Sequence, residues 1–212
     1  MKNIEQLDLW KYEKEVYEQG YKYIGGVDEV GRGPLIGPVV TACVVLPKDF
    51  KLDGLTDSKK LSEKKRNEYY DYIINNCIAY SIGSCSPEEI DEFNIYQTSR
   101  IAMIRAIDEV KKQIPLDYVL SDAMPIDIDI PVLDIIKGDA KSISIAAASV
   151  VAKVTRDKLM YELDKQYPEY GFAKHKGYPT RKHYDALNKY GLIDGYRKTY
   201  GPVIKIMEGE KL

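Results

Sequence analysis

The chain has 212 residues, 44% hydrophobic and 30% charged, an ordinary globular balance that supplies enough apolar side chains for one sizeable core. The longest apolar runs are of strand length, which excludes a membrane-spanning helix, and with only His175 and His183 available a His-rich zinc site is excluded too. The net charge of −2 conceals an asymmetry: residues 141–212 hold 14 Lys and Arg against 8 Asp and Glu, whereas residues 1–140 hold 17 against 25. A basic C-terminal third suits a polyanionic partner, although a solvated surface of mixed charge is the better reading on charge alone.

The N-terminal residues 1–20 are expected to form a short amphipathic helix carrying Leu7, Trp10 and Val16, with Gly20 as its cap. No apolar signal-peptide core is seen at the start, so a cytoplasmic protein is the expectation. Tyr21 to Val27 reads as a strand that ends in the adjacent carboxylates Asp28 and Glu29. Residues 31–38 form a turn with three Gly and two Pro. The β-branched run Val39 to Leu46 is then the second strand of an antiparallel pair. A helix from Ser62 to about Asn76, a third strand over Ile78 to Cys85, and a helix opened by Ser86-Pro87-Glu88-Glu89 and running to about Gln113 follow. Cys43, Cys77 and Cys85 lack metal-like spacing and read as packing residues.

Two short buried strands come next, Tyr118 to Leu120 leading into Ser121-Asp122, and Val132 to Ile136 leading into Lys137-Gly138-Asp139. A long helix covers Ser142 to Tyr167, with an Ala-rich stretch suited to close packing on a sheet. A turn at Gly177 to Thr180 and a helix from Thr180 to Tyr190, ended by Gly191, close the pattern. The order predicts an α/β fold whose mixed sheet has an antiparallel start and parallel additions. The expected divisions are an N-terminal helical extension (1–20), a catalytic core (21–167) and a C-terminal helical region (168–212).

Three of these strands are expected to end in aspartate: Asp28, Asp122 and Asp139. Sites in open α/β sheets gather at strand carboxyl ends, so the three acids and Glu29 are expected to meet. Four carboxylates without nearby His or Cys suit hard divalent cations such as Mg²⁺ or Mn²⁺, and a pair of such ions can cut a phosphodiester with water as the nucleophile. Neighbouring strand residues face opposite ways, so Glu29 joins Asp28 only if the strand has begun to turn there. Asp157 is explained by a helical ion pair with Lys153, and Asp127, Asp129 and Asp134 read as solvated.

The run Gly26-Val27-Asp28-Glu29-Val30-Gly31-Arg32-Gly33-Pro34 resembles the opening motif of bacterial ribonuclease HII. Asp57-Ser58-Lys59-Lys60-Leu61-Ser62, Lys137-Gly138-Asp139-Ala140-Lys141-Ser142, the helix from Ser144 to Asp157 and His175-Lys176-Gly177-Tyr178 are similar to that family in the same order, together covering about residues 20–190. The resemblance implies an RNase H-like fold, a mixed central sheet flanked by helices, with extra C-terminal helices. It implies that Asp28, Glu29, Asp122 and Asp139 bind two Mg²⁺ or Mn²⁺ ions, Asp139 completing the second site or orienting the water. It implies that Gly31, Arg32 and Gly33 read a ribose 2′-OH through main-chain groups and that Tyr178 stacks on the following sugar. Lys59 and Lys60, with Lys174, Lys176 and Arg181, become candidates for phosphate contacts. The implied activity is an endoribonuclease acting on RNA–DNA hybrids and on single ribonucleotides in duplex DNA, cutting 5′ to the ribonucleotide, in ribonucleotide excision repair, and working as a monomer. A ribonuclease HIII-like nuclease and a non-catalytic hybrid-binding protein are the alternatives. The chain departs from the family in having Asp122-Ala123 where Asp-Gly is usual, which puts strain on any special backbone conformation there. Residues 1–20 lie outside the matched core.

Overall fold

The computed structural model describes residues 8–56 and 58–212. Strands β1 (Ile24–Val30), β2 (Val39–Val45), β3 (Ala79–Cys85), β4 (Tyr118–Asp122) and β5 (Val132–Ile135) form one sheet in the order β3-β2-β1-β4-β5. The β1–β2 and β2–β3 pairs are antiparallel, and the β1–β4 and β4–β5 pairs are parallel, as the sequence pattern predicts. The helices are α1 (Lys11–Glu18), α2 (Glu63–Asn76), α3 (Pro87–Lys111), α4 (Ile143–Gln166), α5 (Phe172–His175), α6 (Arg181–Tyr190) and α7 (Gly201–Met207).

Every residue of β2 is buried because both sheet faces are covered. Val30, Val40, Ala42 and Val44 pack on the Ala- and Val-rich first half of α4. Val27, Cys43 and Val45 point the other way, onto Met103, Ala106 and Ile107 of α3. Tyr69 and Ile73 of α2 cover the far side of α4, so that helix is apolar nearly all round at its start. A separate apolar cluster joins the C-terminal helices to the turn after β1: Leu35 and Ile36 pack with Phe172, Leu187, Tyr196 and Val203.

Four expectations change. Strand β1 continues through Asp28 and Glu29 to Val30 instead of ending at the acids. Asp139 is not at a strand end; β5 stops at Ile135, and Asp139 sits in a 3₁₀ turn, Gly138–Ala140. The helix opened by the Ser86 and Glu89 capping box breaks at Asn94 (φ 65°), whose Oδ1 accepts from the Tyr96 and Gln97 N–H groups and so caps a second helix at once. The helix expected over residues 1–20 is shorter where it is described, α1 starting at Lys11 after Trp10 and ending at Glu18; residues 1–7 lie outside the described residues, as does Asp57 of the Asp57–Ser62 motif.

Candidate active site

The β1–β4 pairing carries the two main acids to the same level. Its last register pair is Val27 with Ser121, so Asp28 and Asp122 are the next residues on adjacent parallel strands. Strand β4 ends there, whereas β1 runs on, paired with β2 as far as Val30. Asp28 and Glu29 thus occupy a stretch of β1 whose edge toward β4 is open. This answers the alternation problem. Glu29 has not turned out of the strand, as the sequence reading required. It stays in the ladder opposite Thr41, and two residues facing opposite sheet sides both reach the space past the end of β4. The fourth acid arrives by a clamp: the Gly138 N–H donates to Asp122 Oδ1 at 2.7 Å, which holds the Asp139-bearing turn against the end of β4.

The electrostatics reflect this gathering. Burial pushes the Asp28 carboxyl well above its ordinary value, and the charges of Glu29, Asp122 and Asp139 push it further, against a hydrogen bond from Ser149. Glu29 is raised first by burial and further by Asp122, and lowered by Arg32, whose Nη1 stands 3.4 Å from Glu29 Oε1. Its other oxygen, Oε2, is buried without a hydrogen-bond partner. Such an atom in an acidic cluster is where a cation would be stabilised. Among the described residues no three or more His, Cys, Asp or Glu side chains stand close enough to hold a metal as they are. Three of the carboxylates are engaged by local donors: Asp28 Oδ1 takes the Glu29 N–H at 2.8 Å, Glu29 takes Arg32 and Asp122 takes Gly138. The donor set itself, all carboxylate oxygen, fits a hard divalent cation.

The glycine turn lies beside the acids. Gly31 has φ +96°, a conformation open to glycine and strained for other residues, and a Cβ there would stand 2.3 Å from Arg156 Nε. The Tyr178 ring packs on Gly33, 3.3 Å from where a Cβ would stand, and the Leu35 N–H donates to the Gly177 carbonyl at 2.8 Å. The structure therefore brings the Gly31-Arg32-Gly33 turn and Tyr178 together. His183 fixes that tyrosine's backbone, Nδ1–H donating to the Tyr178 carbonyl at 3.0 Å while Nε2 accepts from the Tyr196 hydroxyl at 2.6 Å. Ser58 is buried and its hydroxyl is 2.9 Å from that of Ser149, so the turn carrying Lys59 and Lys60 is tied to the helix beside Asp28; Lys59 is exposed. Lys176 does not stand free for phosphate: its ammonium caps the Ala173 carbonyl and lies 3.6 Å from the Tyr161 ring centroid. Lys174 is exposed, and Arg181 is exposed and pairs with Asp185. Asp157 pairs with Lys153 at 2.5 Å, as expected, and also with Arg66 at 3.7 Å.

Sequence reasoning missed two buried arginines. Arg197 donates to the carbonyls of Gly31 (2.6 Å), Arg32 (3.0 Å) and Gly37 (2.8 and 3.0 Å). Arg156 donates to those of Ile36, Pro38 and Lys176. Burial, with Arg197 close by, pushes Arg156 down to about 10. A trans peptide carries its C=O and following N–H on opposite sides, and no cis bond is present among the described residues. Seating the Gly31 and Arg32 carbonyls inward therefore turns the Arg32 and Gly33 N–H groups outward. The one sequence signal for Arg156 was its place just after the apolar stretch Ile145 to Ala152 of a long helix; Arg197 had none.

A family model described as Ribonuclease HII matches residues 25–200. The chain belongs to the ribonuclease HII family. It is 53% identical to a ribonuclease HII of Bacillus cytotoxicus over 197 residues, covering 93% of this chain and 75% of the relative. It is 52% identical to one from Bacillus mycoides, with 93% and 76% covered. Among solved structures it is similar to ribonuclease H2 from Pyrococcus horikoshii (27% identity, TM-score 0.75, 89% of this chain and 98% of that one). The ribonuclease HII of a PCNA complex from Archaeoglobus fulgidus shares the fold at 24% identity and TM-score 0.71, with 84% and 95% covered. The sheet and its flanking helices are thus the RNase H-like fold. As a ribonuclease HII family member the chain is a metal-dependent hydrolase, an endoribonuclease of RNA–DNA hybrids. Among the described residues no helix is long and apolar enough to cross a membrane.

Proposed function

We propose that this ribonuclease HII family chain cuts at single ribonucleotides embedded in duplex DNA as well as in longer hybrids, on the 5′ side of the ribonucleotide, leaving 3′-hydroxyl and 5′-phosphate ends. The observation that carries the proposal is the convergence of Asp28, Glu29, Asp122 and Asp139 next to a turn with outward N–H groups and an exposed tyrosine. Asp28, Glu29, Asp122 and Asp139 would hold two divalent ions, Mg²⁺ or Mn²⁺, the buried free oxygen of Glu29 being one donor. Bound ions supply a nucleophilic water at neutral pH and stabilise the leaving 3′-oxygen.

The remaining work falls to the chain. The Arg32 and Gly33 N–H groups approach the ribose 2′-OH, the one group that separates RNA from DNA, and Gly33 lets the Tyr178 ring close on the neighbouring sugar. Lys59 and Lys60 stand on a turn anchored at the site and would contact backbone phosphates. Residues 168–212 would contribute exposed basic side chains such as Lys174 and Lys182 to substrate binding. The protein acts as a cytoplasmic monomer in ribonucleotide excision repair. The test is cleavage mapping on a DNA duplex carrying one ribonucleotide, in Mg²⁺ and in Mn²⁺. A single cut at the 5′ side supports the proposal. Cutting confined to runs of several ribonucleotides would point to a ribonuclease HIII-like specificity, and tight binding without cleavage in either metal to a binding protein.

A further inference from the structure

Helix α1 precedes the stretch that the family model matches, which begins at residue 25. It nonetheless buries a carboxylate in the catalytic core. Glu13 is fully buried, and its Oε1 accepts from the Ser142 hydroxyl at 2.5 Å and from the Ser144 N–H at 3.1 Å. Ser142 caps α4, its own Oγ accepting from the Ile145 N–H at 3.2 Å. The Ile143 N–H donates to the Leu9 carbonyl at 2.9 Å, so two first-turn donors of α4, those of Ile143 and Ser144, are taken by the α1 segment.

The contacts continue toward the acids. The Ser142 N–H donates to the Gly138 carbonyl at 2.8 Å, the Lys141 N–H to the same carbonyl at 2.9 Å, and the Gly138 N–H to Asp122 Oδ1 at 2.7 Å. Asp139 lies within the turn so closed. On the apolar side, Val16 of α1 packs with Leu120 of β4, Ile135 of β5 and Ile145 of α4. Helix α1 thus braces the end of β4 that carries Asp122, the end of β5 that leads to Asp139, and the helix start that closes the turn between them.

We propose that Glu13 is a positioning residue for the active site: through Ser142 and Gly138 it sets the Asp139-bearing turn against Asp122. The proposal rests on the reading of the four acids as the metal-holding set. Groups that orient a metal-holding residue through hydrogen bonds change metal affinity about 10- to 100-fold when removed. Glu13→Ala removes the acceptor, and Glu13→Asp keeps the carboxyl group but falls short by one methylene. Glu13→Gln keeps the accepting oxygen and replaces Oε2, which has no hydrogen-bond partner, with an amide nitrogen.

The experiment uses the full chain well below its melting temperature. It measures Mn²⁺ binding by titration calorimetry, protection of the Gly138 amide by hydrogen exchange, and cleavage kinetics on an RNA–DNA hybrid. Glu13→Ala and Glu13→Asp are expected to bind Mn²⁺ about tenfold more weakly and to lose Gly138 protection, with kcat falling at limiting metal and KM for the duplex unchanged; Glu13→Gln restores both to within about threefold. A lowered melting temperature with native Mn²⁺ affinity and native Gly138 protection would mean that Glu13 only stabilises the fold, and would overturn the proposal. Should Glu13→Ala fail to fold, the Asp and Gln variants carry the same comparison. Equal Mn²⁺ binding by the native chain and Asp139→Asn would overturn the reading of the acids, and the proposal with it.

Discussion

Replacing Arg197 by Met tests whether the glycine turn is held open from behind. The guanidinium is fully buried and donates to three carbonyls of the turn, those of Gly31, Arg32 and Gly37. The Arg32 carbonyl keeps a second partner, the Tyr200 hydroxyl at 2.7 Å, so the substitution strands two carbonyls. Each buried acceptor left unpaired costs roughly 1–3 kcal/mol. The gain from no longer burying a guanidinium, whose pKa burial pushes down, offsets part of that. The net expectation is a loss of about 3 kcal/mol, read as a lower urea midpoint at unchanged slope. Once the Gly31 carbonyl is free to rotate, the Arg32 N–H after it loses its outward aim. Cleavage of a hybrid should then fall by roughly a hundredfold in kcat/KM, the scale of a small misplacement at a reacting centre. A loss under about 1 kcal/mol together with native cleavage would refute the claim that Arg197 shapes the turn. Arg197→Lys should fail in the same direction, because one ammonium does not reproduce the planar fork.

Two further predictions concern the surroundings of the site. Ala123 has φ +48°, and an L residue there carries roughly 1–2 kcal/mol of strain, partly offset by the extra chain entropy that glycine would lose; Ala123→Gly should therefore raise stability by about 0.5–1 kcal/mol in urea unfolding, and a loss of stability would show the backbone there to be relaxed. His183 is buried against Phe172 and Tyr196 and its pKa is pushed down from 6.5 to about 4, chiefly by burial. A depressed histidine favours the fold when neutral, so its contribution is present above pH 6.5 and is lost as pH falls toward 4, by up to about 3 kcal/mol; a titration of its ring by NMR with a midpoint near 6.5 would contradict that packing.

The features readable from sequence were those with a local signature. The β-branched run of β2, the Ser86-Pro87 helix start and the Lys153–Asp157 pair depend on neighbours a few residues away, and each stands where the pattern put it. The four acids were legible as strand-end carboxylates and through the motif resemblance, yet only Asp122 ends a strand; β1 runs past Asp28 and Glu29, and Asp139 lies in a 3₁₀ turn. Their geometry was not legible. Whether Glu29 joins Asp28 depends on β4 ending one residue short of the level of Glu29, a matter of register between strands about 90 residues apart. Arg197 resembles any surface arginine in sequence; its carbonyl partners lie 160 to 166 residues away. Asn94 in a long helical pattern is only a weak break signal, and the break appears because its side chain recaps the helix.

The central claim is that the cluster around Asp28 performs the cleavage, and Asp28→Asn tests it most directly. The substitution keeps the size of the side chain and replaces one carboxyl oxygen, a donor a divalent cation would use, with an amide nitrogen, in a buried group that three other acids already crowd. With a 5′-labelled RNA–DNA hybrid in Mg²⁺, cleavage should fall by at least roughly a hundredfold, about 3 kcal/mol of transition-state stabilisation, while the folded protein persists. Native Mg²⁺-dependent cleavage by Asp28→Asn would contradict the account.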